Sequence, residues 1–351
     1  MSFVWVYAMK QAIVFLLGVT VVSGCGNPVY PPLTSRVVEG KEARPYSWPW
    51  QVSLESFFPT CGGTLIAANW VMTAAHCITF HTYRVVLAEH DMNTEEGFEQ
   101  SIMVDKMILH PDWNDNCVSC GNDIALLKLE RSATINDRVQ VACLPKSDAV
   151  LAPNQPCYVT GWGRLSSGGP KASSLQQALL PVVEHGVCSR SDWWGGSVKT
   201  WMVCAGGESR SACHGDSGGP LSCEGPDGRW YVQGVTSFVH GGGCNTPQKP
   251  TVFTRVSSFI PWISKVTRAW ITRHHKHGTT NPALIVHTGG VRVTRWINGA
   301  HCATSAFKTM FKIMLGTKDY MAITISLIDI QCKCLLLTIL ISVLLHSVDN
   351  G

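Results

Sequence analysis

The feature that most restricts the fold of this chain is its fifteen cysteines among 351 residues. The sequence contains neither paired C-x-x-C knuckles nor an H-E-x-x-H motif, so a disulfide framework is favoured strongly and zinc only weakly. Charged residues make up 15% of the chain and the net charge is +4, without a basic stripe interleaved with aromatic residues. This balance is typical of a secreted globular protein and argues against nucleic acid as a partner.

The N-terminus predicts secretion. Lys10 precedes the apolar run Ala12–Val19, and small residues follow up to Gly24. A positively charged start, an apolar run and small residues before the cleavage site are typical of a signal peptide, here residues 1–24. The alternative is a membrane helix, which Lys10 and the shortness of the run disfavour. We therefore expect a secreted, extracellular protein.

Short β-rich runs separated by Gly, Pro, Asn and Asp turns extend from Trp50 to about Arg255. Many short strands with almost no helical period predict an all-β barrel or sandwich. The exception follows Ser257-Ser258, where apolar residues recur with the spacing of an N-capped amphipathic helix. This pattern predicts one C-terminal helix whose apolar face carries Phe259, Trp262, Ile263 and Val266.

Residues 270–351 have a different character. The basic run Arg273–His277 lies near the start of the segment, and no clear strand or helix pattern follows it. The apolar residues 334–345 are too few to span a bilayer, and they are followed by polar residues, unlike a lipid-anchor signal. We therefore expect an extra tail outside the fold, with a membrane anchor as the alternative.

A serine among glycines, Ser217 in Gly215–Pro220, is the centre of the candidate chemistry. Its hydroxyl needs a base to act as a nucleophile at neutral pH. Taken alone, the stretch also fits the nucleophile elbow of α/β-hydrolases or an inert glycine-rich turn. His76 and Asp123 each lie beside a predicted strand and supply a base and a carboxylate to orient it. The order His, Asp, Ser and the lack of parallel βαβ units exclude the α/β-hydrolase elbow.

Three blocks, Thr73–Cys77, Gly121–Leu127 and Gly215–Pro220, resemble the signatures of chymotrypsin-like serine proteases. The resemblance covers about residues 25–268 and extends to pancreatic elastases of the proteinase E type, through Trp48-Pro49-Trp50, Cys117–Gly121 and Ser237–Val239. It implies two six-stranded antiparallel Greek-key β-barrels, about 37–140 and 141–258, followed by the C-terminal helix. The peptidase domain is then expected at residues 37–269.

The resemblance also implies a role for each of these polar groups. His76 is the general base and then the general acid, Asp123 orients its ring, and Ser217 is the nucleophile of an acyl-enzyme mechanism. The backbone N–H groups of Gly215 and Ser217 form the oxyanion hole. Protein and peptide substrates, in digestion, and protein protease inhibitors are the implied partners. The alternative is an inactive relative of the same fold that only binds.

The junction Arg36-Val37 ends a proline-rich segment, residues 25–36, that predicts an extended activation propeptide. In the family that the chain resembles, a trypsin-like protease cuts at such a junction. The freed α-amino group, here that of Val37, then pairs with the aspartate before the nucleophile, here Asp216, and orders the site. We therefore expect a zymogen.

Twelve of the cysteines fit the bridges of that family. The resemblance implies the pairs Cys25–Cys143, Cys61–Cys77, Cys117–Cys120, Cys157–Cys223, Cys188–Cys204 and Cys213–Cys244. The cysteine pattern alone leaves the connectivity open. Cys302, Cys332 and Cys334 remain, all in the tail.

We expect the substrate pocket to be lined by Ser211, Ser237, Val239 and Thr251. Ser211 stands six positions before Ser217, where trypsin-like relatives carry an acid, so a basic substrate side chain would be left unpaired. Val239 and Thr251 stand where relatives with deep pockets have glycine, so their side chains would narrow the substrate pocket. Cleavage after Ala or other small aliphatic residues is expected, with a preference for larger apolar residues as the alternative.

Carboxylates crowd the loop from Glu89 to Glu99. Oxygen ligands converging on one loop can hold calcium, and Glu89 and Glu99 best match the ligands of the family's calcium loop. The alternative is a solvated acidic loop. No cofactor is expected to be required, and calcium would be structural.

Overall fold

The computed structural model describes residues 24–34, 40–79, 81–207 and 210–275, together with four short strands between 286 and 325. Most of the predicted signal peptide, the junction Arg36-Val37 and the apolar residues 334–345 lie outside the described residues. No helix among the described residues has the length and apolar character needed to cross a membrane.

The first half of the chain forms a closed antiparallel barrel of six strands. After the short strand β1 (Lys41–Glu42), the barrel strands are β2 (Gln51–Glu55), β3 (Pro59–Ala67), β4 (Trp70–Thr73), β5 (Arg84–Leu87), β6 (Gln100–Leu109) and β7 (Ala125–Leu129). Their spatial order is β2-β3-β4-β7-β6-β5. Because side chains alternate along β2, Val52 and Leu54 lie in the core while Gln51 reaches the second half of the chain.

The second half repeats this topology. Its strands are β8 (Pro156–Gly161), β9 (Gln176–Val183), β10 (Met202–Ala205), β11 (Pro220–Glu224), β12 (Trp230–Phe238) and β13 (Thr251–Arg255). They follow the order β8-β9-β10-β13-β12-β11, and the pairings of β8 with β9 and β11 close the barrel. The prediction of two six-stranded antiparallel barrels is confirmed.

Buried polar contacts join the two barrels. The Trp50 indole donates to Ser222 Oγ (3.2 Å), and the Trp48 indole donates to Gln177 Oε1 (3.0 Å). Thr160 Oγ1 donates to Gln51 Oε1 (2.6 Å). Because a buried donor or acceptor is costly to leave unpaired, these bonds hold the barrels in one arrangement. The cleft between them therefore has a defined shape.

The predicted C-terminal helix is present. A four-residue helix, α1 (His185–Cys188), precedes it in the chain, and the helix itself, α2, spans Ile260–His275 after a 3₁₀ turn at Val256–Phe259. It extends six residues past the expected domain boundary at 269. No glycine or proline follows that boundary before Gly278, so no residue there breaks the helix.

Residues 276–351 form a separate compact unit. It contains two antiparallel hairpins, β14 (Val286–Thr288) with β15 (Val291–Val293) and β16 (Thr309–Met314) with β17 (Tyr320–Ile325). No clear strand pattern is predicted for this segment from the sequence, and for these four strands that prediction is wrong. A Gly-Gly connection between β-branched residues, at 289–290, is the hairpin signal that it missed. That this segment is foreign to the peptidase domain stays a prediction.

Six disulfides staple the barrels and loops. They join Cys25–Cys143, Cys61–Cys77, Cys117–Cys120, Cys157–Cys223, Cys188–Cys204 and Cys213–Cys244, the pairs that the resemblance implies. Cys25–Cys143 ties the segment before Arg36 to the body of the protein, and Gly26 adds backbone bonds to Val141 and Trp230 (2.8 Å each).

Candidate active site

The pairing of β4 with β7 brings the histidine and the aspartate together. His76 lies in the 3₁₀ turn after β4, and Asp123 lies just before β7, whose Ala125 pairs with Thr73. The His76 backbone N–H donates to Asp123 Oδ1 (2.9 Å), and His76 Nδ1 lies 2.7 Å from Asp123 Oδ2. A carboxylate only accepts, so Nδ1 carries the proton and Nε2 is left as the base.

Asp123 is fully buried and receives further donors from the second barrel. Ser237 Oγ donates to Asp123 Oδ2 (2.5 Å), and Thr254 Oγ1 donates to the Asp123 carbonyl (2.8 Å). The Ser237 hydroxyl and the imidazole both bond to Asp123 Oδ2, and together with the His76 N–H on Oδ1 they hold the carboxylate in this orientation. Ser237, which is predicted from the sequence to line the substrate pocket, therefore also contacts Asp123, and that contact is not predicted.

Ser217 reaches the same place from the loop before β11. The Gly62 N–H of β3 donates to the Ser217 carbonyl (2.7 Å). Gly218 has φ +76°, and a Cβ there would lie 2.2 Å from Thr73 Oγ1, so only glycine fits. No hydrogen bond joins Ser217 Oγ to His76 Nε2 within the part of the chain that is described. Catalytic hydrogen bonds are often long in sites without substrate.

Two unused donors flank the serine hydroxyl. The Asp216 N–H donates to the Cys213 carbonyl (3.0 Å), which closes a turn with Gly215 at φ +107°. Neither the Gly215 N–H nor the Ser217 N–H has an acceptor among the described residues. Backbone donors in such a turn can stabilise a developing oxyanion.

Asp216 lies at a cavity of about 420 Å³ that Gly40 also lines. Its carboxylate accepts from the N–H groups of Gly163 (2.9 Å) and Cys213 (2.8 Å). Burial raises the pKa of Asp216, and these two bonds only partly oppose the rise. A Cβ on Gly163 would lie 2.5 Å from Asp216 Oδ1, so the glycine permits this approach. No neighbouring cation among the described residues offsets the buried charge.

The predicted pocket residues divide into two groups. Ser211 Oγ and Asn245 bond to each other through Asn245 N (2.8 Å) and Asn245 Oδ1 (3.1 Å), and Val239 packs against the core of the second barrel. Thr251 is fully buried, and its hydroxyl accepts from the Ala212 N–H (2.8 Å). Thr251 therefore holds the segment after Ser211 in place instead of offering a free wall.

The acidic loop contains an unusual carboxyl group. Glu89 Oε1 is buried without a hydrogen-bond partner, and burial together with the charges of Glu99, Glu96 and Glu55 raises the pKa of Glu89 to about 7. Burial would also raise the pKa of Glu99, but backbone N–H donors, including Glu96 N at 2.6 Å, lower it overall. An orphaned oxygen among like charges fits a hard cation.

Within the described residues, three or more metal-ligating side chains converge closely at one place, and it lies outside the acidic loop. Cys61, His76 and Cys77 lie with their ligand atoms within 4.8 Å of one another. Both cysteines are held in one disulfide, so they offer no thiolate, and this group is not a metal site.

Comparison with known proteins agrees with this geometry. The family model described as Trypsin matches residues 37–263. The chain is 57% identical over 265 residues to Chymotrypsin-like elastase family member 3B of Homo sapiens, covering 73% of this chain and 98% of that protein. It is 59% identical over 240 residues to Proproteinase E of Bos taurus, covering 66% and 95%. It is 52% identical over 253 residues to Chymotrypsin-like elastase family member 1 of Rattus norvegicus, covering 70% and 95%.

Proposed function

The chain belongs to the trypsin family of serine proteases, and from that premise we propose that it is a secreted elastase-type endopeptidase, made as a zymogen, that cuts after small aliphatic residues such as Ala. The observation that carries the catalytic part is the chain of contacts from Ser237 through Asp123 to His76 Nδ1. It leaves His76 Nε2 unprotonated and available to take the proton of Ser217.

The proposed reaction passes through an acyl-enzyme. Ser217 Oγ attacks the scissile carbonyl while His76 Nε2 takes its proton, and the Gly215 and Ser217 N–H groups bind the oxyanion. Each such donor is worth about 3 kcal/mol in the transition state. The protonated His76 then gives its proton to the leaving amine, and water, activated by the same nitrogen, hydrolyses the Ser217 ester. Asp123 stays ionised throughout and stabilises the imidazolium.

Labelling distinguishes this enzyme from a binding module of the same fold. After tryptic activation, an organophosphate is expected to modify Ser217 and to abolish hydrolysis of an alanyl p-nitroanilide, whereas Ser217→Ala neither reacts nor cuts. Peptide mapping locates the adduct. An activated chain that keeps Ser217 unmodified and leaves the p-nitroanilide intact would favour the binding module.

The preference for small residues is supported by the pocket side chains. Ser211 and its partner Asn245 are uncharged, so a Lys or Arg side chain would enter without a counter-ion. Val239 stands on the segment that continues β12, beside the core of the second barrel. Its isopropyl group takes up space that a large substrate side chain would need.

Val239→Gly is expected to shift the preference from Ala toward Phe. Removing the isopropyl group opens the slot, so the ratio of kcat/KM for Phe to that for Ala should rise about 10- to 100-fold. Val150→Gly, at a residue that is 80% exposed, is the matched control and should leave the ratio unchanged. If the wild-type enzyme already cuts faster after Phe than after Ala, the chymotrypsin-like alternative is correct.

The zymogen proposal is supported by the cavity at Asp216. Gly40, three residues after Val37, lines the same cavity as Asp216, so a new N-terminus at Val37 has a short path to the carboxylate. An ammonium group there would supply the cation that the buried charge lacks. The propeptide would stay attached through Cys25–Cys143. A trypsin-like protease is the proposed activator, and the six disulfides suit an extracellular location.

Calcium is proposed as a structural ion held by Glu89 and Glu99, with Glu89 Oε1 as the orphaned ligand. Because the pKa of Glu89 is raised to about 7, the stability that its protonated form contributes is lost as the pH rises from the pKa of a free carboxyl through about 7, and a bound cation should offset that loss at higher pH. At pH 8, calcium at a hundred times its Kd is expected to raise Tm by about 5 to 10 °C relative to EDTA. Glu89→Gln should abolish the shift, and Glu95→Gln, at an exposed residue of the same loop, should preserve it. Equal Tm values in calcium and EDTA would favour the solvated loop.

A further inference from the structure

The end of the proposed propeptide is bonded to the second barrel. The Tyr158 hydroxyl, on β8, donates to the Thr34 carbonyl (3.1 Å), and Gln177 Nε2, on β9, donates to the Leu33 carbonyl (3.0 Å). The two carbonyls belong to the second and third residues before Arg36. Neither contact has a part in the proposed catalytic reaction.

Both donors are held in place by their own neighbours. The Gln177 side chain is buried, and its Oε1 accepts from the Trp48 indole (3.0 Å), which leaves Nε2 for Leu33. The Tyr158 ring packs against the rings of Trp48 and Trp230, with centroids 5.7 and 5.9 Å apart. Burial raises the pKa of Tyr158, so its hydroxyl keeps its proton and stays a donor at neutral pH.

Gln177 holds the chain on both sides of the proposed cleavage site. Its backbone pairs with Lys41 of β1, while its side chain bonds to Leu33, eight positions earlier. Further upstream, the disulfide Cys25–Cys143 fixes the start of the propeptide to the body of the protein. The chain is therefore anchored both before and after Arg36-Val37.

An activating protease needs one of the same two carbonyls. A protease binds the residues before the cut as an extended strand that pairs with an edge of the enzyme. Successive carbonyls of an extended strand point to opposite edges, so either the Thr34 or the Leu33 carbonyl must bond to the activator. Each carbonyl is already bonded to the second barrel, which occupies the side from which the activator would pair. One bond to the barrel must therefore break before cleavage.

We propose that Tyr158 and Gln177 form a latch that holds the propeptide on the second barrel and slows tryptic cleavage at Arg36-Val37. The latch limits premature activation, because the chain is cut only when Leu33 and Thr34 leave the barrel surface. The inference rests on the proposed zymogen function and adds a control on the rate of activation.

The test follows cleavage instead of activity. The full chain carrying Ser217→Ala, which cannot cut itself, is incubated with trypsin, and mass spectrometry of the reduced protein measures the product that begins at Val37. Tyr158→Phe in this parent chain removes the hydroxyl and keeps the ring, so cleavage should be about 2- to 10-fold faster. Tyr231→Phe, which removes a hydroxyl bonded to Asp227 (2.9 Å), is the matched control and should leave the rate unchanged.

Three results would overturn the latch while the protease function stands. They are equal cleavage rates in the parent and Tyr158→Phe chains, equal acceleration by Tyr231→Phe, and an equal rise in cleavage after the exposed Lys171, which would show general loosening. If no product begins at Val37 in any variant, the latch and the zymogen proposal fail together. A wild-type chain that is cut at Arg36-Val37 but does not hydrolyse an alanyl p-nitroanilide refutes the protease function alone.

Discussion

Asp123→Asn is expected to lower kcat about 10⁴-fold without unfolding the protein. The asparagine amide can donate to His76 Nδ1, which would move the ring proton to Nε2 and leave no base facing Ser217. The His76 N–H can still donate to the amide oxygen at the Oδ1 position, and Ser237 Oγ can accept from the amide N–H at the Oδ2 position, so the local geometry has a reason to persist. Steady-state kinetics on an alanyl p-nitroanilide measures the loss, and Tm checks the fold.

Ser237→Ala is the matched comparison for this prediction. It removes one donor to Asp123 but keeps the carboxylate and the Nδ1 proton, so its cost is one charge-assisted hydrogen bond, about 1.5 to 3 kcal/mol at most. The expected loss in kcat is therefore about 10- to 100-fold. If Asp123→Asn lost no more activity than Ser237→Ala, orientation of His76 by the carboxylate would be the wrong account of this site.

Arg36→Gln is expected to leave the chain permanently inactive after trypsin treatment. Without cleavage no α-amino group forms at Val37, and the carboxylate of Asp216 keeps its two backbone donors but gains no cation. Asp216→Asn should permit cleavage yet lower kcat/KM about 10²- to 10³-fold, the loss expected for one partner of a buried ion pair. N-terminal sequencing and active-site titration distinguish an uncut chain from a cut but disordered one.

The pH dependence of stability is a second test of the proposed activation by cleavage at Arg36-Val37. The pKa of Asp216 is raised in the folded, uncut chain, so this carboxyl contributes most to stability at pH values below its pKa in the unfolded chain. That contribution is lost as the pH rises through its pKa in the folded chain. Pairing with the Val37 ammonium should remove that loss in the cut chain.

Arg44→Gln is the control for tryptic cleavage at another arginine and should activate normally. Full activity with Arg36-Val37 intact would contradict the zymogen proposal.

The sequence by itself determined the class of fold and the identity of the catalytic candidates. Short β-rich runs and an even set of twelve cysteines before residue 245 point to a disulfide-stapled β protein, and the order of His76, Asp123 and Ser217 excludes the α/β-hydrolase elbow. These signals are local, because each depends on residue types within a few positions or on their order. The resemblance then implied the barrels and the disulfide pairs.

Only the tertiary structure decided how the site is supported. The Ser237 hydroxyl donates to Asp123, 114 positions away. Gly163 donates to Asp216 from 53 positions away, and Lys171 reaches Pro59 from 112. Thr251 is buried where a pocket wall was expected. Such contacts depend on strand register and on how the two barrels close against each other, and no short-range periodicity carries that information.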